Sequence, residues 1–438
     1  MTREESEKQL AEKRAERLKE LKKLKPITFE ELEETVKKWF LIADFGLLRL
    51  HTAMPIIHMR TTKPVWMFLV APPGSGKTQL MEALMDLDVV YPISSLTPQT
   101  FMSGMNNSKT DASLLPLVTN KVMVFKEWTS IMSMKYEAKR EIMAQLREIW
   151  DGRMNKMFGN GIARNWEGRV SMYAGTTEMV DMDQEMFASL GERFLYYRPI
   201  QPDDKELARI AARNTNKAEL MTKELKNAFF AYFQGFKGEI LDEIELSSET
   251  IERIIDIASL AVTARSAVVR DFGFSRDVSF IPDPEAPTRM TQALMSILQA
   301  LMIIRKTKEV CEEDMKIVFK VALDSIPKKR RLVLRVLAKY GKLKTDELAL
   351  AIGYPTGTIN NVFQDVALLG REDKKLIRRI KEGNSNTWLI SPPVQELLIK
   401  YDNVEIEKIE ESELLEKIKE VFGESVKESE AEQSPFDV

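Results

Sequence analysis

The chain has 438 residues, 44% hydrophobic and 30% charged, which is enough for two or three domains with a buried core. Its longest apolar runs, such as VWMFLV, are strand-sized, so no membrane partner is expected, and the charged start MTREESEKQL excludes a secretory signal. One cysteine, Cys311, excludes a disulfide framework and fits a reducing cytoplasm; with only His51 and His58 beside it, a zinc site cannot be built.

The net charge of −3 conceals a split. Residues 326–400 carry 15 bases against 7 acids, and residues 401–438 carry 13 acids against 4 bases. A basic module followed by an acidic tail points to an anionic partner for one small domain. Solubilising surface charge is the plainer account of both segments.

In chain order, residues 3–24 read as an exposed charged helix ending before Pro26. An amphipathic helix then opens at Thr28 and a more buried one follows it. From 65 to 200, short apolar strands alternate with helices, the pattern of a layered α/β domain. The strands are VWMFLV, DVVYPIS, KVMVF, RVSMYAG and RFLYYRP. Residues 203–325 read as mostly helical, with a loop around FIPDPEAPTR. Residues 328–391 read as three helices and a two-stranded hairpin, and the tail as a short helical pattern followed by disorder. No internal repeat is present. The expected segments are 1–60 (N-terminal helices), 61–200 (α/β core), 201–325 (helical), 326–400 (small basic domain) and 401–438 (acidic tail).

The segment APPGSGKT, residues 71–78, follows a strand and precedes a helix, the setting of a phosphate-binding loop. Gly74 and Gly76 let the backbone curl so that N–H groups face phosphates, and the helix start adds positive potential. Lys77 is expected at the β- and γ-phosphates and Thr78 on Mg²⁺. Pro73, Gly74, Ser75, Gly76, Lys77, Thr78 and Gln79 are the expected nucleotide-binding residues, joined by Lys126. Some 45 residues on, KVMVFKEW ends a strand in Lys126 and Glu127. Glu127 is a candidate general base for the attacking water. A metal-shell acid would normally precede it, and lysine cannot take that role. Either Lys126 sits in the site, replacing part of the magnesium charge, or it turns away and hydrolysis is slow or absent.

The strand RVSMYAGTT ends in Thr176 and Thr177, either of which can hydrogen-bond the γ-phosphate or the water. Arg193, ahead of RFLYYRP, is placed to reach a neighbouring subunit's nucleotide, where an arginine stabilises the transferring phosphoryl group. An ordinary salt bridge is the alternative for Arg193 and for Arg198. Arg289, near the start of a long helix, stands where a lid arginine would close over the same chain's phosphates.

This constellation resembles the AAA+ ATPases, and most closely the branch containing the minichromosome-maintenance replicative helicases. The resemblance covers roughly residues 60–395. It implies an α/β fold, a phosphate-loop AAA+ αβα sandwich with a helical lid, followed by an α+β winged helix-turn-helix domain. It implies ATP and Mg²⁺ as cofactors and a homo-oligomer, a hexameric ring. The hairpin RMNKMFGNGIARNW would line the ring's pore and touch DNA through Arg153, Lys156 and Arg164, unless it is simply a solvated hairpin. The large zinc-bearing N-terminal domain of those helicases has no counterpart here. ATPases of phages, plasmids and other mobile elements, with a lysine in the acid strand, resemble the chain more closely.

The basic module resembles a winged helix. Its third helix, from about Pro355, would offer Thr356, Thr358, Asn360 and Asn361 to a groove. Lys374, Lys375, Arg378 and Arg379 on the wing would meet the backbone of single- or double-stranded DNA. Winged helices also dock proteins, such as replication or mobile-element factors. Two functions follow: an ATP-driven DNA motor or remodeller with Lys77, Glu127, Thr176, Thr177, Arg193 and Arg289 in the catalytic apparatus, or a non-hydrolysing nucleotide-switched initiator, loader or transposition regulator. An AAA+ transcription activator and a packaging motor are weaker alternatives.

Overall fold

The computed structural model describes Glu12 and residues 15–105, 113–183, 192–236, 244–271, 277–281, 283–382 and 385–402. The expected pattern of the acidic tail lies outside the described residues from 403 onward. The chain divides at Pro327 and Lys328 into two units. No helix among the described residues is long and apolar enough to cross a membrane.

In the first unit, α1 (residues 15–21) precedes α2 (Phe29–Trp39). The start of α2 is set by a capping box: Thr28 Oγ1 accepts from Glu31 N, and Glu31 Oε2 accepts from Thr28 N. Helix α3 (Phe45–Arg60) is apolar around most of its circumference and is buried accordingly. Then come β1 (Trp66–Val70), α4 (Lys77–Glu82), β2 (Val90–Ile93), the turn α5 (Leu115–Val118), β3 (Lys121–Phe125), the turn α6 (Thr129–Met132) and α7 (Tyr136–Trp150). A hairpin of β4 (Arg153–Met157) and β5 (Ala163–Glu167) leads into β6 (Val170–Thr176), and β7 (Phe194–Tyr197) completes the sheet.

The central sheet is fully parallel in the order β2-β3-β6-β1-β7. Strands β1, β3, β6 and β7 are buried on both faces, as their continuous apolar sequences require, whereas edge strand β2 leaves Pro92 exposed. Period-two alternation sorts their side chains. Trp66, Phe68, Met123, Phe125, Met172, Phe194 and Tyr196 pack with Ile142, Leu146 and Ile149 of α7. Phe68 stacks on Phe194 at 4.3 Å between centroids. On the other face, Ser171 and Tyr173 of β6 meet His58 and His51 of α3. The result is a sheet between two helical layers, with α3 inside the layering rather than apart from it.

Helices α8 (Asp204–Asn214), α9 (Ala218–Gln234), α10 (Ser248–Arg265), α11 (Thr288–Ile304) and α12 (Glu312–Asp324) follow. They do not separate from the sheet: α11 packs on α3, α12 on β7 and α9 on both α2 and α4. A small exposed hairpin, β8 (Val269–Arg270) with β9 (Val278–Phe280), interrupts what reads as helical sequence.

The second unit contains α13 (Lys328–Tyr340), β10 (Lys342–Lys344), α14 (Thr345–Ile352), α15 (Thr356–Leu368), β11 (Ile377–Glu382), β12 (Ser385–Ile390) and α16 (Pro392–Asp402). Its antiparallel sheet has the order β10-β12-β11, one strand more than the sequence pattern suggests. Trp388 of β12 stacks on Phe363 of α15 at 4.6 Å and 4° and donates to Thr345 Oγ1, joining sheet and helices in one core.

Candidate functional site

The loop after β1 is shaped by two residues that only glycine suits well. Gly74 and Gly76 both have φ of 81°, in the left-handed region. A Cβ on Gly76 would lie 2.8 Å from the Phe40 ring, so the loop and the α2–α3 connection close on each other there. Ala71 N donates to Thr176 O, tying the start of the loop to β6. Lys77 is buried, its Nζ 3.5 Å from Glu127 Oε2. Ser75 and Thr78 are half-buried, whereas Pro73 and Gln79 face solvent.

Glu127 reaches Lys77 because β3 ends at Phe125 and the chain turns directly after it. Trp128 N donates to Gly175 O at 2.7 Å, and a Cβ on Gly175 would meet the Lys126 carbonyl oxygen at 2.7 Å. Glycine therefore permits the close approach of the two strand ends. Glu127 Oε1 accepts from Thr129 N at 3.1 Å and from Thr129 Oγ1 at 2.5 Å. Its other oxygen faces the Lys77 ammonium, and the side chain remains 44% exposed.

Sheet order places the end of β6 between the phosphate loop and Glu127. Of the two threonines there, Thr176 is fully buried and its Oγ1 lies 3.4 Å from Thr177 O. Thr177 Oγ1 is buried without a hydrogen-bond partner, as is Ser75 Oγ. Two unsatisfied hydroxyls beside a glycine-shaped loop fit a phosphate ligand with acceptor oxygens. Among the described residues no group of three acidic, histidine or cysteine side chains could hold a metal. A magnesium ion there would depend on Thr78, water and the phosphates themselves.

Lys126 does not point at the loop. Its Nζ lies 3.4 Å from Glu82 Oε2, at the far end of α4, and 40% of the side chain is exposed. Of the two accounts the sequence leaves open, this geometry matches the one in which the lysine turns from the phosphates.

Beside the loop lies a narrow crevice with a cavity volume of only about 40 Å³. Phe40, Ile42, Leu47, Gly76, Pro199 and Ile200 contribute to its mostly apolar wall. No motif marks these positions, because three separated segments build the wall.

Arg193 and Arg289 lie elsewhere. Phe194 pairs with Trp66 at the start of β1, so Arg193 is at the opposite end of the strands from the loop, roughly 16 Å along the strand direction. Its guanidinium is 3.3 Å from Asp151 and 5.2 Å over the Trp150 ring. Burial pulls its pKa down, and Asp151 opposes that shift. Arg289 sits over the same ring at 5.7 Å and pairs with Glu285 at 3.3 Å. The expectation that Arg289 closes over its own chain's phosphates therefore does not match its position: α11 begins beside Arg193, at the end of the strands opposite the loop. Behind the two arginines, Arg265 bridges Glu192 at 3.7 Å and Glu285 at 3.1 Å, and burial pushes Glu192 up to about 7 against the pull of Arg265. Arg198 is occupied by Asp181 at 2.6 Å and by Asp324, which makes it structural.

The β4–β5 hairpin turns through residues 158–162, with Gly161 at φ 83°. Arg153 is exposed, Lys156 lies 3.5 Å from Glu141, and Arg164 NH2 reaches the Met105 carbonyl at 3.5 Å. Asn160 Nδ2 donates to Gly104 O, and Phe158 fills the space where Gly104 lacks a side chain. The hairpin tip is thus seated on residues 103–105.

In the second unit, Thr356 is exposed at the start of α15, with Thr358, Asn360 and Asn361 half-buried behind it. Lys374 and Arg379 are exposed, Arg378 reaches Glu372 O at 3.4 Å, and Lys375 donates to Leu368 O. Compared with known proteins, the chain matches no family model, and no curated protein matches it.

Proposed function

We propose that the chain is an oligomeric ATP-dependent DNA motor or remodeller of the AAA+ type, acting in the replication or maintenance of DNA or a mobile element. The observation that carries this reading is the grouping of Lys77, Glu127 and the unpartnered Thr177 hydroxyl around a loop bent by Gly74 and Gly76. In this reading Lys77 holds the terminal phosphates. Glu127 accepts a proton from the attacking water, and Thr177 orients that water or the γ-phosphate. Thr78 would hold Mg²⁺, which supplies charge neutralisation between the phosphates.

Arg193 and Arg289 flank one indole far from their own loop, so both serve a neighbouring subunit's nucleotide. A ring is the arrangement in which every site receives such a pair. The hairpin with Arg153, Lys156 and Arg164 then faces DNA in the pore. The basic second unit acts as a winged helix, meeting DNA with α15 and the β11–β12 wing.

Two measurements test this. ATP should convert the protein into a ring-sized oligomer in sedimentation, and Lys77→Ala should prevent it. Replacing Arg378 and Arg379 with alanine should weaken DNA binding for all sequences and reduce the log–log salt slope by about 2. A monomer under saturating ATP, or a slope unchanged by the double variant, would remove the corresponding part of the reading.

The second reading, a switch that holds its nucleotide, is favoured by one observation. Glu127 is engaged by Thr129 and Lys77 together, and the lysine before it is engaged by Glu82. Turnover separates the two readings.

A further inference from the structure

We propose that the acidic segment following Asp402 docks on the basic outer face of α13 and competes there with DNA. The inference rests on the DNA-binding reading of the second unit and adds its regulation. Helix α13 buries Arg330, Val333, Leu334, Leu337 and Ala338. Lys328, Arg331, Arg335 and Lys339 follow one another at helical spacing, so they form a stripe away from that buried face. Arg335 is exposed and the other three are half-buried. No acid stands in the first turn of α13, where the run Lys328 to Arg331 opposes the positive end of the helix dipole. Within the unit only Asp365 approaches that run, 3.9 Å from Arg330 among the described ion pairs.

The course of α16 delivers the acidic segment to this stripe. Gln395 Nε2 donates to Ala338 O at 2.9 Å, and at the end of α16 Asp402 Oδ2 meets Arg335 Nε at 2.5 Å. The later residue of α16 thus meets the earlier residue of α13, and the chain leaves Asp402 heading toward Arg331 and Lys328. Residues 403–438 carry 12 acids against 4 bases, beside 15 bases against 7 acids in residues 326–400. From Arg335 to Lys328 the helix rises about 10.5 Å. Roughly four residues of chain cover that span. Glu405 and Glu407 therefore come within reach of Arg331 and Lys328, with Glu410 and Glu411 close behind. They extend the contact that Asp402 already makes, and they supply the negative charge that the start of α13 lacks. Each exposed pair is weak alone, so the cover depends on several together and yields to salt or to a denser polyanion such as DNA.

The test uses the full-length protein and two variants of equal charge. In one, Glu405, Glu407, Glu410 and Glu411 become glutamine; in the other, Glu424, Glu428, Glu430 and Glu432 do. Binding of a fluorescent DNA duplex is measured by anisotropy at low salt. The first variant should bind about tenfold tighter than the parent or more, as expected when the face is open a tenth of the time or less. The second should stay near the parent, and the difference should shrink as salt rises. Equal effects of the two variants would reduce the result to bulk charge and overturn the docking, as would no effect of either. Zero-length carbodiimide coupling reads the contact itself. Lys328 or Lys329 should couple to Glu405, Glu407 or Glu410, and added duplex should suppress the product. Absence of these products would overturn the inference, and so would mixed-label products from isotope-labelled and unlabelled chains, which would place the segment on another copy. If the products form but neither parent nor variants bind DNA, the DNA-binding reading falls and the competition with it.

Discussion

Acid should destabilise this protein through two buried imidazoles. His51 and His58 sit on α3 against β6, with Nδ1 atoms 3.1 Å from Tyr173 Oη and 2.8 Å from Ser171 Oγ. Burial lowers the His51 pKa to about 3. Burial, reinforced by the positive charges of Arg169 and Lys121, lowers that of His58 to about 4. The fold keeps both rings neutral, whereas an unfolded chain protonates them near pH 6.5. Their contribution is therefore complete above about pH 6.5 and is lost as pH falls toward 4 for His58 and 3 for His51. At ~1.36 kcal/mol per pKa unit, moving from pH 7.5 to 5 costs about 2 kcal/mol per ring. Glu192, raised to about 7, takes up its proton in the fold between pH 7.5 and 5, while an unfolded chain keeps it ionised there, so it works in the opposite direction by about 2 kcal/mol. The comparison between parent and variants isolates the histidines. Urea unfolding at pH 7.5 and 5.0 should show each of His51→Asn and His58→Asn losing about 2 kcal/mol less on acidification than the parent. These are the chain's two histidines, so ¹³C-labelled rings give two signals. A ring titrating near pH 6.5 in the native protein would refute the reasoning.

Other outcomes follow from the site. Gly76→Ala places a Cβ against Phe40 at φ 81°, a conformation costing roughly 1–2 kcal/mol for an L-residue. Nucleotide affinity should drop about tenfold or more while far-UV circular dichroism stays that of the parent; unchanged affinity would separate the loop from nucleotide binding. Arg193→Ala and Lys77→Ala should each be inactive alone, yet regain part of the turnover when mixed, since some interfaces then pair an intact loop with an intact arginine. No recovery from a mixture that still assembles would mean that Arg193 does not act across subunits.

Much of the architecture is visible in the sequence because local chemistry and tertiary structure agree there. The five strands of the sheet match apolar runs bounded by polar or turn residues, and Thr28 with Glu31 marks the start of α2. Where the segment is short or polar, that agreement ends. The strand Lys342–Lys344 has two lysines in three residues and exists because β12 pairs with it. The β8–β9 hairpin lies in a stretch without clear alternation. The site divides in the same way. Glycines and Lys77 declare themselves by spacing, whereas the direction of Lys126, the neighbours of Arg289 and the cleft wall at Phe40 depend on helices meeting from distant parts of the chain. Thr176 and Thr177 are equivalent as sequence; only packing leaves the hydroxyl of Thr177 without a partner.

The most direct measurement is phosphate release from ATP by the full-length protein, with and without single- and double-stranded DNA, beside Glu127→Gln. The account predicts turnover that DNA stimulates, and its loss in Glu127→Gln by about a hundredfold or more, the scale of a general base's contribution, with ATP still bound. Tight ATP binding by the parent without phosphate release would contradict a motor and leave the nucleotide-held switch.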